Sequence, residues 1–364
     1  MPQLPPTAAT VFSWDLSIAG VYTADYGNLR SSFSVGGMGT SGCRSVQFEF
    51  DIYDPVGTLL DSIPKQAEVI LSGAGFVSQP FFINSRTSAD HVCHCVCYDR
   101  ICKTDRTFVN DLDFGTSETV DGQSVLEYIA EQCGFSSYSG AEGLSEIKFS
   151  KSDLENKSCR NLLDEITEAL CSVAICGGAD GSVLQIACFG AYSLSSDNVT
   201  SEDYAEVDYR GKTVVSGLHM TSSETGEIFS FGDASGYVIE IETRFASAAL
   251  AQAVWGRVNG YVYKSWNCEK ALCISASQRM GAANFTRSGV GNDPTLILGN
   301  PLFATDTEYS FDSTGIYFSG GAAPFNDWQY ETKLERQKIG IDKVVGNCVT
   351  HSNGMKEFIN KNLD

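Results

Sequence analysis

Val46, Phe48, Phe50 and Ile52 alternate with Gln47, Glu49 and Asp51. Successive strand side chains point to opposite faces, so this pattern predicts a strand with one wholly apolar face and one polar face. Asp54-Pro55 stops it. Phe12, Trp14, Leu16 and Ile18 alternate with Ser13, Asp15 and Ser17 in the same way, and strand character recurs at 67–71, 80–85 and 91–98. Short, closely spaced strands with no helical period between them predict a small barrel or sandwich over about the first hundred residues.

The period then changes. Val125, Leu126, Ile129, Ala130 and Cys133 recur at helical spacing, with Gly134 as the stop. A second helix is predicted over 158–171, with Ser158 as N-cap and Leu162, Leu163, Ile166, Ala169 and Leu170 on its inner face. Val173–Ile175, the turn 177–181 and Val183–Ile186 read as a hairpin. Residues 192–206 are polar and acidic, which marks a domain junction. Strands are predicted at 213–218, 227–231 and 236–242, and a helix over 245–258 carrying Leu250, Val254 and Trp255. The stretch 275–327 is rich in Gly, Asn, Ser and Ala and reads as long loops or short strands, with 319–322 as a turn. Strand character returns at 327–334, 338–345 and 347–351.

The chain has 364 residues, room for two or three domains. With 45 acidic and 25 basic side chains its formal net charge is −20, which argues against a general duplex-DNA binder, since such a protein needs a basic face. Its 13 cysteines are an odd number and many sit inside apolar runs, so they read as reduced core fillers of a protein made in a reducing cytosol. The N-terminus lacks the basic and apolar regions of a signal peptide, and no apolar run reaches the ~18 residues of a membrane span, so no membrane insertion is expected.

Several segments, in this order, carry a likeness. "FFINSRTSADHVCHCVCYDRI" (81–101) resembles a strand pair of phage tail proteins in which an aromatic strand, "SR", a turn and a strand ending in Tyr-Asp follow one another. "SVLEYIAEQCGF" (124–135) and "SCRNLLDEITEALCSVAICGGADGSVLQI" (158–186) resemble the same proteins' helical insert. "GYVIEIETRFASAALAQAVWGRVNGYVY" (236–263) resembles their acidic strand-then-helix segment, and "QKIGIDKVVGNCV" (337–349) their late hairpin. The family is the tail-hub, or baseplate-hub, proteins of long-tailed phages and related contractile particles.

The resemblance implies a β-rich α+β fold: two small β-barrel-like domains and a helix-containing inserted domain, assembling as a trimeric ring. Carried over, the first barrel is 1–108, the helical domain 109–198 continued by 245–298, and the second barrel 199–244 continued by 299–350, with 351–364 as a tail. It further implies a structural virion subunit, assembled in the host cytoplasm, that links the tail tube to the tail tip. Its partners would be two more copies of itself, the tail tube protein and other tip, baseplate or spike proteins, with DNA passing non-specifically through a central channel. Acidic residues lining that channel would keep DNA from sticking. Two other functions stay open: a receptor- or carbohydrate-binding tip module, for which 275–330 could supply loops, and a peptidoglycan hydrolase.

The sequence offers little for chemistry. His91, Cys93, His94, Cys95, Cys97 and Cys102 form the most metal-like cluster, but the spacing is not that of a zinc knuckle or ribbon. Alternation puts His91, Cys93, Cys95 and Cys97 on one face of a strand at ~6.6 Å intervals, which cannot surround one tetrahedral ion. They read as a core strand, and no metal ligand is assigned. The histidines, His91, His94, His219 and His351, lie in no nucleophile motif. Glu165 and Glu168, or Asp111 and Asp113, are carboxylate pairs of the kind that chance gives an acidic protein. Without a phosphate-binding glycine loop, no catalytic residue and no cofactor is assigned. Trp255, on a helix of small residues, is a candidate for an interface or for packing within the chain.

Overall fold

The computed structural model describes residues 12–23, 26–35, 40–73, 75–178, 180–188, 198–199, 207–233, 235–275, 284–285, 302–303, 305–322, 341–345, 348–351 and 356–358. The expected strand 327–334 and most of the junction 192–206 lie outside these residues.

The N-terminal strands are β1 (Trp14–Ile18), β2 (Val21–Thr23), β3 (Tyr26–Ser34), β4 (Gly42–Cys43), β5 (Gln47–Tyr53), β6 (Glu68–Gly73), β7 (Phe76–Val77), β8 (Phe81–Ala89) and β9 (Val92–Tyr98), with a one-turn helix α1 (Leu59–Ser62) before β6. Antiparallel pairing runs β1–β6–β8–β9–β5–β3. The predicted alternation sets the faces: Phe48, Phe50 and Ile52 are buried, as are Leu16, Val69 and Leu71. Phe48 meets both Phe50 and Phe81 with ring centroids 5.6 and 5.1 Å apart. Each such buried ring contributes about 2–3 kcal/mol.

Between the N- and C-terminal strands stand β10 (Thr119–Asp121), α2 (Gly122–Gln132), β11 (Ser137–Ser139), β12 (Lys148–Ser150), α3 (Lys151–Leu154), α4 (Cys159–Ala169), β13 (Ser172–Gly177) and β14 (Val183–Cys188). Both predicted long helices are present with their caps. Asp121 accepts from the Ser124 N–H at 2.8 Å, and Ser158 and Asn161 form a reciprocal capping box on α4. Gly134 ends α2 at φ +73°. The predicted hairpin is β13–β14, and β13 is buried at all six positions. It is central because β4, from the N-terminal part, pairs with it in parallel. α4 holds β4 there: Thr167 Oγ1 accepts from the Gly42 N–H at 2.9 Å and Asp164 from the Cys43 N–H at 3.0 Å.

The rest comprises β15 (Asn198–Val199), β16 (Val207–Ser222), β17 (Ile228–Gly232), β18 (Tyr237–Thr243), α5 (Ala248–Val258), β19 (Val262–Ser275), β20 (Asn284–Phe285), β21 (Leu302–Phe303), β22 (Asp306–Asp312) and β23 (Gly315–Ala322), then β24 (Ile341–Val345), β25 (Cys348–His351) and β26 (Lys356–Phe358). The first half of β16 pairs with β19, and its second half with β17 and, in parallel, β18. β22 pairs with β23 on one side and with β3 on the other, and β23 pairs with β19. The hairpin β22–β23 thus joins the N- and C-terminal strands into one sheet. β1 approaches the same hairpin, because Trp14 donates its indole N–H to the Asp312 carbonyl at 2.8 Å and meets the Phe311 ring at 5.4 Å.

This hairpin lies within the stretch that reads from sequence as loops or short strands. Thr307, Tyr309 and Phe311 do alternate inward. The signal is diluted by Gly320 and Gly321, which lie inside β23 and not in a turn. A Cβ at Gly320 would come within 2.2 Å of the Asp306 carbonyl oxygen, and one at Gly321 within 2.2 Å of that of Trp266. The glycines are there because backbones pass this closely. Trp266, Tyr309 and Phe318, all nearly inaccessible, form the core beneath.

Candidate assembly site

Polar and ionic contacts fix the helical part and the strands in place. Asp99, directly after β9, is fully buried. Its carboxylate accepts from the Val46 N–H at 2.9 Å, at the entry to β5, and from the Ile101 N–H at 3.1 Å, in the turn leading toward α2. One buried carboxyl therefore pins the entry of β5 to the turn that follows β9.

Arg244, just after β18, joins the C-terminal strands to the helical part. Its guanidinium contacts Asp153 at 2.8 Å and Glu165 of α4 at 3.1 Å, and lies 4.2 Å from the centroid of the Phe245 ring. Burial alone would raise the Asp153 pKa, but bonds from Ser150 and Arg244 outweigh it and hold the carboxyl below its ordinary 3.8. Lys157 also pairs with Glu165.

Three further arginines close helix ends. Arg100 donates to the Gly134 carbonyl at 2.8 Å and Arg106 to that of Gln132, both at the C-terminus of α2. Arg257 of α5 donates to the Leu170 carbonyl at 2.9 Å, behind α4, and to that of Glu142. Cations are favourable at these negative dipole ends.

Among the predicted carboxylate pairs, Glu165 belongs to this clamp. Glu168, one turn on, has its pKa raised by burial and by Glu165, Glu242 and Asp164. A carboxyl whose folded pKa lies above its unfolded value favours the fold while protonated and loses that contribution as pH rises through the folded pKa. Glu168→Gln should therefore raise the melting temperature at pH 7 and leave it unchanged below about pH 4, as thermal scans across pH would show. Asp111 accepts from the Tyr128 hydroxyl at 3.3 Å, and Asp113 accepts from the Gly115 N–H at 2.8 Å in a local turn. The two pairs do not come together.

The strand of thiols is β9. Cys93, Cys95 and Cys97 are buried opposite Ile52, Phe50 and Phe48 of β5, so small side chains face large ones. His91 is not on their face: it lies in the turn before β9 at φ +67° and is exposed. His94 points the other way, 2.7 Å from Asp51. Cys102 lies beyond the strand, half-buried. Burial raises the pKa of Cys93 and pushes that of Cys95 up to about 12. The folded protein should therefore leave both unalkylated by iodoacetamide at pH 8 and expose them only on unfolding; rapid labelling of the native state would contradict this packing.

Trp255 packs within the chain. It stacks on Phe231 of β17 at 6.5 Å. A Cβ on Gly232, at φ +74°, would lie 2.6 Å from the Trp255 ring. Both edges of the three-stranded layer β17–β16–β18 lack a partner strand among the described residues. Its outer face shows His219, Ser230, Glu240 and Glu242. Among the described residues no helix is long and apolar enough to cross a membrane. Of the functional residues, Asp99 and Arg244 carry no sequence signal beyond standing in the quoted segments ending "CYDRI" and beginning "GYVIEIETRF".

No protein-family model matches the sequence, and no curated protein matches it. Solved structures do match. The 43 kDa tail protein of prophage MuSo2 from Shewanella oneidensis is similar at a TM-score of 0.50 and 11% identity, over 85% of this chain and 97% of that one. A tail protein from Neisseria meningitidis MC58 is similar at 0.52 and 9%, over 87% and 98%. The fold is that of phage tail proteins. A further likeness, at a TM-score of 0.46 and 9% identity over 86% and 77%, is to an E. coli type VI secretion component described as similar to the T4 tail proteins gp27 and gp5. In this tail-protein fold the Arg244 clamp ties the segment after β18 to α3 and α4.

Proposed function

We propose that the chain is a tail-hub, or baseplate-hub, subunit that works as a homotrimer and joins the tail tube to the tail tip. The observation that carries this reading is the tail-protein fold, shared along nearly the whole length of both tail proteins. Each subunit presents two barrel-like units, 1–108 and 199–244 continued by 299–350, around the helical domain 109–198 continued by 245–298. Three copies then offer six near-equivalent docking sites to a sixfold tube. That role is geometric and asks for no reaction. Its requirement is that the two units of a subunit keep a fixed spacing, which the shared hairpin β22–β23 and the ionic clamps support. The tube above, and the spike and baseplate proteins below, are its partners in the particle, and DNA passes through the ring. The net charge of −20 supports an acidic lumen from which DNA slides free. Native mass spectrometry of the purified tail-tip subassembly tests the stoichiometry: three copies per complex are expected, and one or six would overturn the reading.

A further inference from the structure

One polar row crosses the outward face of the joined sheet. Ser319 of β23 lies opposite Glu308 of β22, Glu308 opposite Ser32 of β3, Ser32 opposite Gln47 of β5, and Gln47 opposite Tyr98 of β9. The segment 43–45 and Arg160 of α4 stand beside this row, and together they bound an open cleft of about 710 Å³. That is the size of a small-ligand site. The backbone groups of its floor are used in the sheet ladders, so recognition falls to side chains.

Those side chains are available. Ser32, Tyr98, Glu308 and Ser319 on the floor, with Ser45 and Asn84 at the rim, make no side-chain hydrogen bond among the described residues. Arg44 lines the cleft with its Nε shut off from water and unpartnered, while its Nη2 donates to the Ser41 carbonyl at 2.9 Å. Charge is nearly balanced: Arg44 and Arg160 stand against Asp105, Asp306 and Glu308, and Arg160 is already paired with Asp105. A polyanion therefore gains nothing here, least of all on a chain of net charge −20. The row of hydroxyl, amide and carboxylate groups ending in one half-buried aromatic ring matches a ligand that is uncharged, rich in hydroxyls and built of flat-faced rings.

We propose that this cleft binds an uncharged oligosaccharide, an activity separate from hub assembly. Saturation-transfer NMR and calorimetry on the full chain with maltotriose, cellotriose and triacetylchitotriose test it. At least one should bind with a Kd on the order of 1 mM or tighter. Asn84→Ala and Tyr98→Phe, each checked for an unchanged melting temperature, should weaken that binding by about tenfold. No saturation transfer from any of the three at about 10 mM would overturn the proposal. So would binding that both variants leave intact, or binding of polyphosphate in place of the sugars.

Discussion

Asp99→Ala is expected to lower the unfolding free energy by about 3–5 kcal/mol. The carboxyl is fully buried and holds the Val46 and Ile101 N–H groups. Alanine fills neither role, so both donors stay buried without an acceptor, and each such donor costs about 1–3 kcal/mol. Asn at the same position can keep one of the two bonds, but its amide nitrogen then faces the other N–H, donor against donor. Asp99→Asn should therefore recover only part of the loss. Calorimetric melting of the three proteins checks the order; a loss below about 1 kcal/mol for the alanine variant would remove Asp99 as a pin at the entry to β5.

Arg244→Ala should cost about 2–3 kcal/mol at pH 7. It breaks the contacts to Asp153 and Glu165 and uncovers the Phe245 ring. All three charged side chains keep about a quarter of their exposure, 26–27%, so solvent screening holds the figure below that of a fully buried pair. The pH dependence identifies the mechanism. The folded pKa of Asp153 is depressed below its ordinary 3.8. A depressed carboxyl contributes stability above its unfolded pKa and loses it as pH falls through the folded value. The gap between the wild type and Arg244→Ala should accordingly narrow as pH falls below about 4. A gap that does not change with pH would mean that Arg244 acts through packing alone.

The sequence makes the elements legible where a period is local. The strands of 12–18 and 46–52, the helix stopped by Gly134 and the helix capped by Ser158 are written in neighbouring residues, and these form as the alternation and capping patterns require. Pairing between distant strands leaves no such trace. Nothing near residue 306 announces that β22 lies against β3, and Gly320 and Gly321 mimic a turn while serving a close strand crossing. Alternation also extends His91 onto the thiol face, because a turn with positive φ looks like one more strand residue. The clamps were hidden for a related reason: Asp99 and Arg244 act on partners in other segments, and an isolated charged residue does not reveal its partner. The polar row of the cleft is assembled from five strands and has no linear signature at all.

Cryo-electron microscopy of the assembled tail tests the hub assignment most directly. The assignment predicts three copies in a single ring on the tail axis, between tube and tip, with acidic side chains facing the lumen. Six copies, or a position off the axis, would contradict it.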